Sequence, residues 1–271
     1  MGFHSPDRIA QKIAEAGAKK AVMPIRQTLI LGFLGGAFIA LGFLLDVRVI
    51  ANLPKEWGSF SSLIGGAVFP VGLMLIVIAG GELLTGNMMA LPMAVFTKRA
   101  SVLQLVRNWV LILISNFAGA IFVAYFFGHI VGLTEIGPFF TKTVAIAQGK
   151  IGDSFIQALI SAIGCNWLVC LAVWMAFGAE DIGGKILAIW FPIMGFVAIG
   201  FQHVVANMFI IPAAIFAGQL GWAGYFSNFV PVFIGNAIGG GVFVAFMYWM
   251  VYKEVNGNDV SQASNKIKKA V

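Results

Sequence analysis

Six long apolar stretches constrain what this chain of 271 residues can fold into. Each holds about 20 residues or more, enough for a helix to cross a hydrocarbon core of about 30 Å. Within lipid every backbone polar group needs an internal hydrogen-bond partner, so such stretches form helices. With 60% apolar and 10% charged residues, the composition is that of an integral membrane protein. The stretches cover approximately residues 27–45, 60–95, 108–128, 154–178, 186–217 and 228–252.

A polar motif occurs twice inside these stretches, with its copies 120 residues apart. Residues 82–92 and 202–212 both read Glu/Gln-x4-Asn-Met-x3-Pro, and Asn116 and Asn236 begin a second similarity at the same separation. Each repeat holds three apolar stretches, and this odd number makes the second copy enter the membrane upside down relative to the first. Because polar side chains are costly in hydrocarbon, the two matched sets predict a binding or permeation site between related halves. The pattern is typical of a transport protein.

The second and fifth stretches, which carry the motif, are too long for one straight crossing. Residues 59–97 and 186–218 number 39 and 33, whereas about 20 suffice. Each also contains two prolines and several glycines, which accommodate a break in a helix. The predicted fold is therefore all-α, with six transmembrane helices in a 3+3 inverted repeat and with the second and fifth helices interrupted.

The distribution of positive charge predicts the orientation of the chain. Thirteen Lys and Arg residues lie on the side that carries both termini, against four on the other side. By the positive-inside rule both termini are cytoplasmic, so the net charge of +6 needs no nucleic-acid partner. We expect a cytoplasmic amphipathic segment at 1–25, a channel domain at 26–254 and a cytoplasmic tail at 255–271. The first segment is interpreted as a surface helix that anchors the chain rather than as a pore gate.

A few polar residues at membrane depth are candidates for chemistry. His203 is the only histidine inside a predicted span, and it suits hydrogen bonding or proton donation to a small weak acid. Glu82 is the only acid deep in an apolar stretch, and a role in holding backbone amides or the amino-terminal segment is favoured over contact with a permeant. Neutral donors suit an anion that must also leave. They are supplied by Thr85, Asn87, Asn166 and Asn207.

Other candidates are apolar or lie at a mouth of the pore. Lys150, in the long outer connection, would concentrate anions there, although a solvated surface lysine is the alternative. Four apolar residues could narrow the path, although each taken alone is more typical of core packing. These are Phe69, Leu73, Leu84 and Phe196. No cofactor and no metal site is predicted, and the chain is not expected to be an enzyme.

The sequence resembles the formate/nitrite transporter family over nearly all of residues 5–254. The strongest similarity lies in residues 164–175 and 200–212 and in Gly235-Asn236-x2-Gly239-Gly240-Gly241. This resemblance implies an aquaporin-like six-helix fold and a homopentamer in which each protomer has its own pore. It further implies a multi-pass protein of a prokaryotic cell membrane, surrounded by membrane lipid.

The resemblance also assigns roles to individual residues. His203 matches the central pore histidine, Thr85 the threonine in the break of the second helix, and Lys150 the lysine near the outer vestibule. Asn166 and Asn207 match the asparagines beside the histidine, and the four apolar residues above match the two constrictions. Gln202 stands where members often have glutamate, so a carboxylate partner for Lys150 is missing. This departure predicts a more positive outer vestibule and puts the usual polar network in doubt.

The function that the resemblance implies is permeation of a small monovalent anion, most typically formate, linked to protons through His203. Nitrite, hydrosulfide and lactate are alternatives within the family. An aquaglyceroporin would need two Asn-Pro-Ala triplets, and the chain contains no Asn-Pro. A membrane enzyme would need a cluster of ligands or a base beside its nucleophile, which one His and one Glu in separate spans do not provide. A purely structural protein would leave the doubled polar motif unexplained.

Overall fold

The computed structural model describes residues 2–252, and the predicted tail at 255–271 lies outside them. Within this range the chain forms ten helices and a short helical turn at Lys55–Trp57. The helices are α1 (Pro6–Ala21), α2 (Ile25–Ile50), α3 (Ser59–Gly80), α4 (Leu84–Phe96), α5 (Val102–Ile130), α6 (Pro138–Gly152), α7 (Phe155–Gly178), α8 (Ile182–Ile199), α9 (Val204–Phe216) and α10 (Trp222–Tyr252).

Six of the described helices are long and apolar enough to cross a membrane, as the sequence predicts. They are α2, α3, α5, α7, α8 and α10. The two remaining apolar helices, α4 and α9, are shorter and follow directly after α3 and α8. The second and fifth crossings are therefore each built from two helical pieces.

Glycines in a left-handed conformation end the first piece of each interrupted crossing. Gly80 has a φ of 103° and Gly200 a φ of 88°, which residues with a Cβ adopt only at a cost. The chain then runs in extended form to Leu83 and His203, and helix resumes at the next residue. The predicted interruptions are confirmed. Thr85, expected within the first break, lies instead in the first turn of α4.

Glycines also allow pairs of helices to pack with their backbones in close contact. A Cβ at Gly36 of α2 would overlap the carbonyl oxygen of Asn116 in α5. A Cβ at Gly239 of α10 would crowd the carbonyl oxygen of Ile163 in α7. Such close backbone contacts are typical of helix pairs in membranes.

Helix α1 packs against the helical bundle rather than lying free on a membrane surface. Its apolar residues Ile9 and Ile13 are buried, and its neighbours include α4 and α7. A Cβ at Gly17 would overlap the carbonyl oxygen of Ala90, so the backbones of α1 and α4 nearly touch. The expected amphipathic helix exists, but its apolar face is covered by protein. The reason is that α4 presents Met89 and Met93 to α1, and these side chains form one buried apolar cluster with Ile13.

Candidate functional site

Asn116 in α5 holds the first helix break. Its Oδ1 accepts a hydrogen bond from the backbone N–H of Leu84 at 2.9 Å, at the start of α4. Its Nδ2 donates to the carbonyl oxygens of Gly32 at 2.7 Å and Glu82 at 2.8 Å. One buried amide therefore fixes an N–H and a carbonyl that the interruption leaves without helical partners, and ties both to α2.

Asn236 in α10 holds the second break in the same way. Its Oδ1 accepts from the backbone N–H of Val204 at 2.8 Å, and its Nδ2 donates to the carbonyl oxygens of Ala162 at 2.7 Å and Gln202 at 3.1 Å. Every partner here is the repeat equivalent of a partner of Asn116. The two halves thus share the geometry of the break as well as its sequence.

A second layer of amides surrounds the first break. Asn87 donates through Nδ2 to Glu82 Oε2 at 2.9 Å and to Asn108 Oδ1 at 2.9 Å. Asn108 in turn donates to the carbonyl oxygen of Lys20 at 3.2 Å. The end of α1 is therefore joined to the break through two buried asparagines.

The same layer recurs at the second break. Asn207 donates through Nδ2 to Gln202 Oε1 at 2.7 Å and to Asn228 Oδ1 at 2.8 Å, and Asn228 donates to the carbonyl oxygen of Lys150 at 2.7 Å. Lys20 lies in the last turn of α1 and Lys150 in the last turn of α6, so these two helices occupy equivalent places. The hydrogen bonds therefore relate α1–α5 to α6–α10, whereas the sequence analysis predicts a helix at α1 but none at α6.

The two lysines differ in what their ammonium groups contact. Lys20 Nζ donates to Glu82 Oε1 at 2.6 Å, which is the structural role favoured for Glu82 in attaching the amino-terminal segment. Lys150 Nζ donates to the carbonyl oxygens of Gly200 and Phe201, each at 2.9 Å. Lys150 thus caps the exposed carbonyls at the end of α8 in place of pairing with an acid.

Gln202 completes the network around Lys150 rather than disrupting it. Its Nε2 donates to the carbonyl oxygen of Lys150 at 3.0 Å and to Asp153 Oδ2 at 2.7 Å. Its Oε1 accepts from Asn207, as Glu82 Oε2 accepts from Asn87. The expectation that glutamine puts this network in doubt is wrong, because both ends of the amide have partners.

His203 joins the two halves. Its Nδ1 accepts the backbone N–H of Ala206 at 3.0 Å and so caps α9, while its Nε2 lies 3.0 Å from Thr85 Oγ1. Because Nδ1 is an acceptor, the proton of the neutral ring lies on Nε2 and is donated to Thr85. Phe196 stacks on the imidazole with ring centroids 5.7 Å apart. In this arrangement Nε2–H is a hydrogen-bond donor that another acceptor could take over from Thr85.

A cavity of about 220 Å³ lies against the second break, and we call it the Lys150 cavity. It brings together the sequence-predicted residues Lys150, His203 and Asn207 with Phe69 and Phe196. Asn207 Oδ1 is buried without a partner, so an acceptor remains open at this site. The lining consists of Phe43, Asp46, Ile50, Ser62, Phe69, Ile146, Lys150, Phe196, Val197, Gly200, Phe201, His203, Ala206 and Asn207.

The predicted constriction residues divide into two groups. Phe69 and Phe196 line the cavity and meet edge to face, with ring centroids 5.6 Å apart. Leu73 and Leu84 do not line it and are buried in the core. Asn166 is also outside the lining, and its Nδ2 donates to the carbonyl oxygens of Thr85 and Asn236.

Asp46 is a lining residue that the sequence interpretation misses. It is 4% exposed, so Glu82 is not the only acid deep in an apolar segment, contrary to the prediction. In the sequence the first apolar stretch ends at 45, where charge begins, whereas α2 continues to Ile50. The carboxylates of Asp153 and Asp46 lie near Lys150 and offset part of the positive charge that the sequence predicts for the outer vestibule. Burial lowers the pKa of Lys150, and the two acids act in the opposite direction.

Comparisons with known proteins agree on one family. Residues 7–250 match the model described as formate/nitrite transporter. The uncharacterized transporter YrhG of Bacillus subtilis (strain 168) is 63% identical over 97% of this chain and 100% of its own length. The formate channel BtFdhC of Bacillus thuringiensis is 60% identical over 95% and 99%. A solved structure described as a pentameric formate channel with formate bound matches with a TM-score of 0.73 and 32% identity, over 86% of this chain and 98% of that one.

Proposed function

Because this chain belongs to the formate/nitrite transporter family, we propose that it carries formate across the bacterial cell membrane through a pore that passes His203. The observation that carries the proposal is the contact between His203 and Thr85, which joins the second helix break to the first turn of α4 beside the Lys150 cavity. The names of BtFdhC and of the similar solved structure favour formate among the anions that the family transports.

The anion is proposed to enter at the Lys150 cavity. By the distribution of positive charge this mouth faces outward, because both termini are assigned to the cytoplasm. Two of the three donors of the Lys150 ammonium bind carbonyl groups, which leaves one N–H for an anion. The anion then exchanges water for the remaining N–H of Lys150 before it meets Phe69 and Phe196.

The aromatic contact is where a bare charge is most costly. An isolated ion in an apolar environment costs several kcal/mol or more even after relaxation. His203 lowers that cost because its Nε2–H is available to an anion that replaces Thr85 as acceptor. The hydrogen bond withdraws charge from the anion at the position where water is excluded.

Coupling to protons requires a second state of His203. A neutral imidazole that gave up its Nε2 proton would become an anion itself, so transfer to formate needs the doubly protonated ring. Protonation of Nδ1 in turn requires that the Ala206 N–H release it. Proton-linked permeation is therefore proposed to proceed with a transient opening of the first turn of α9.

Assembly as a homopentamer is proposed because the similar solved structure is described as pentameric. Large apolar side chains of α8, such as Ile186, Leu187 and Phe191, are exposed on this chain. In the membrane these residues face lipid or neighbouring protomers. Native mass spectrometry of the detergent-solubilised protein is expected to give five copies, and a stable monomer would contradict this assembly.

Uptake of labelled formate into proteoliposomes tests the function. His203→Ala is expected to abolish most of the uptake, and the pH dependence of the remainder should be weaker than in the wild-type protein. His129→Ala is the matched control, because His129 lies near the end of α5 and pairs with Glu135 away from the cavity. Size-exclusion profiles establish that both variants assemble. Unchanged, pH-independent uptake by His203→Ala would contradict the proposed role, and competition with nitrite, hydrosulfide and lactate measures selectivity.

A further inference from the structure

Asp46 is an acid in the Lys150 cavity that the proposed transport path does not use. It lies near the end of α2, is 4% exposed and lines the cavity, and its Oδ1 is buried without a hydrogen-bond partner. If the carboxyl group of Asp46 is ionised, Oδ1 has no hydrogen-bond donor beside it, and if Oδ1 is protonated, its O–H has no acceptor. A buried polar group of this kind is costly unless a ligand or water in the cavity completes its hydrogen bonds.

The packing of α3 is adapted to this side chain. A Cβ at Gly65 would overlap Oδ1 of Asp46, so the carboxyl group rests against bare backbone. The group therefore has a defined position between α3 and the cavity.

Comparison of the two halves shows that Asp46 has no acidic counterpart at the other mouth of the pore. Lys20 and Lys150, and likewise Gly32 and Ala162, are equivalent by their hydrogen bonds and lie 130 residues apart. The same offset makes Ala176 the equivalent of Asp46. At the other mouth the buried acid is Glu82, which an ammonium group contacts directly.

The charged groups around Asp46 come from two other elements. Lys142 and Lys150 of α6 act on it electrostatically, and His203 at the start of α9 lines the same cavity. Helices α3 and α5 contribute no charged residue to the lining. Arg48, two residues along α2, is directed elsewhere, because its guanidinium stacks on the ring of Phe139.

We propose that Asp46 controls the entry of the anion into the Lys150 cavity. In its protonated form it donates a hydrogen bond to a small monocarboxylate held beside Lys150, and in its ionised form it repels that anion. The inference rests on the proposed function. Its consequence is that entry from this mouth rises with external acidity for a reason separate from the titration of the substrate or of His203.

The test is the ratio of initial formate uptake by Asp46→Asn to that by the wild-type protein, measured in proteoliposomes at external pH values between about 5 and about 8. The substrate and His203 are the same in both proteins, so the ratio isolates Asp46. Asparagine keeps the shape and a donor but never ionises. The ratio is expected to be close to one at low pH and to rise on the order of tenfold at high pH, where only the wild type carries a negative charge in the cavity.

Glu56→Gln is the matched charge control. Glu56 is an exposed acid in the connection between α2 and α3 and does not line the cavity. Its ratio to the wild type is expected to stay flat with pH. A ratio for Asp46→Asn that does not change with pH, or an equal rise for Glu56→Gln, would overturn the inference.

Asp46→Ala provides a second, independent variant, since alanine occupies the equivalent position 176. It removes the charge and the donor together. Its ratio is expected to rise with pH as for Asp46→Asn, but its half-saturating formate concentration at low pH should be several-fold higher. Equal half-saturation in Asp46→Ala and the wild type would overturn the hydrogen-bond role. Absence of uptake by the wild-type protein would instead refute the proposed function, so the two failures are distinguishable.

Discussion

The two asparagines that hold the helix breaks offer the sharpest test of the repeat. We predict that Asn116→Leu and Asn236→Leu lower the free energy of unfolding by similar amounts. Leucine is at least as large as asparagine, so the change removes an amide without opening a cavity. Each variant loses three hydrogen bonds of 2.7 to 3.1 Å, and these bonds connect equivalent groups in the two halves.

The magnitude follows from what each lost bond leaves behind. At each break a backbone N–H and a carbonyl lose their side-chain partner, whereas the carbonyl of Gly32 or Ala162 lies inside a helix and keeps its helical bond. Side-chain hydrogen bonds in membrane proteins contribute about 0.6 kcal/mol on average, and an unsatisfied buried group costs about 1–3 kcal/mol. One lost bond and two unsatisfied groups together give a loss of about 3–7 kcal/mol for each variant.

Denaturant unfolding of the purified protein in detergent, followed by tryptophan fluorescence, measures this loss. Ser227→Ala serves as the control, because its exposed hydroxyl makes one bond to the carbonyl of Gly224 and its removal should change stability by less than about 0.5 kcal/mol. A loss below about 0.5 kcal/mol in either leucine variant would refute the predicted magnitude. A large loss in only one of them would refute the equivalence of the breaks.

Further substitutions test both breaks. Gln202→Glu removes the Nε2 donor that binds both the carbonyl of Lys150 and the carboxylate of Asp153, and it sets two carboxylates 2.7 Å apart. We expect it to lower the free energy of unfolding by about 1–3 kcal/mol in the same assay, and the double variant Gln202→Glu/Asp153→Asn should recover part of this loss. If the effects of the two substitutions simply add, the direct contact is contradicted. A Cβ added by Gly200→Ala or Gly80→Ala would meet no atom within 4 Å, so only the strain of a positive φ should lower the free energy of unfolding, by about 1–2 kcal/mol each. Unchanged stability would contradict this and would show that the backbone at the break can adopt another conformation.

The helix breaks were predictable because residues 59–97 and 186–218 are too long for one crossing and contain prolines and glycines. Glu82 and Gln202 recur at a fixed separation with Asn87 and Asn207, and this recurrence places a polar site in both interrupted crossings. The remaining members of the network, Asn108 and Asn228, also lie 120 residues apart and could have been found by the same search.

The equivalence of α1 and α6 was not predictable in this way. The first two helices of each half are offset by 130 residues, whereas the motifs from the helix breaks onward are offset by 120. A search at one period therefore detects only the later part of the repeat. Hydropathy also separates the two helices from the crossings, since neither is long and apolar enough to span a membrane. Their likeness lies in backbone carbonyls that accept from Asn108 and Asn228, which a sequence does not display.

The differences between the halves identify the chemistry more directly than the similarities do. The matched bonds join amides to backbone groups, and a change at such a buried position would leave a polar partner unsatisfied. At two pairs of equivalent positions the residue types differ: Leu83 corresponds to His203, and Ala176 corresponds to Asp46. In both pairs the titratable residue is the one that lines the Lys150 cavity. Such residues can differ because an open cavity supplies water or a ligand where a packed core cannot. Departures from a repeat are therefore informative wherever the repeat itself is held by buried hydrogen bonds.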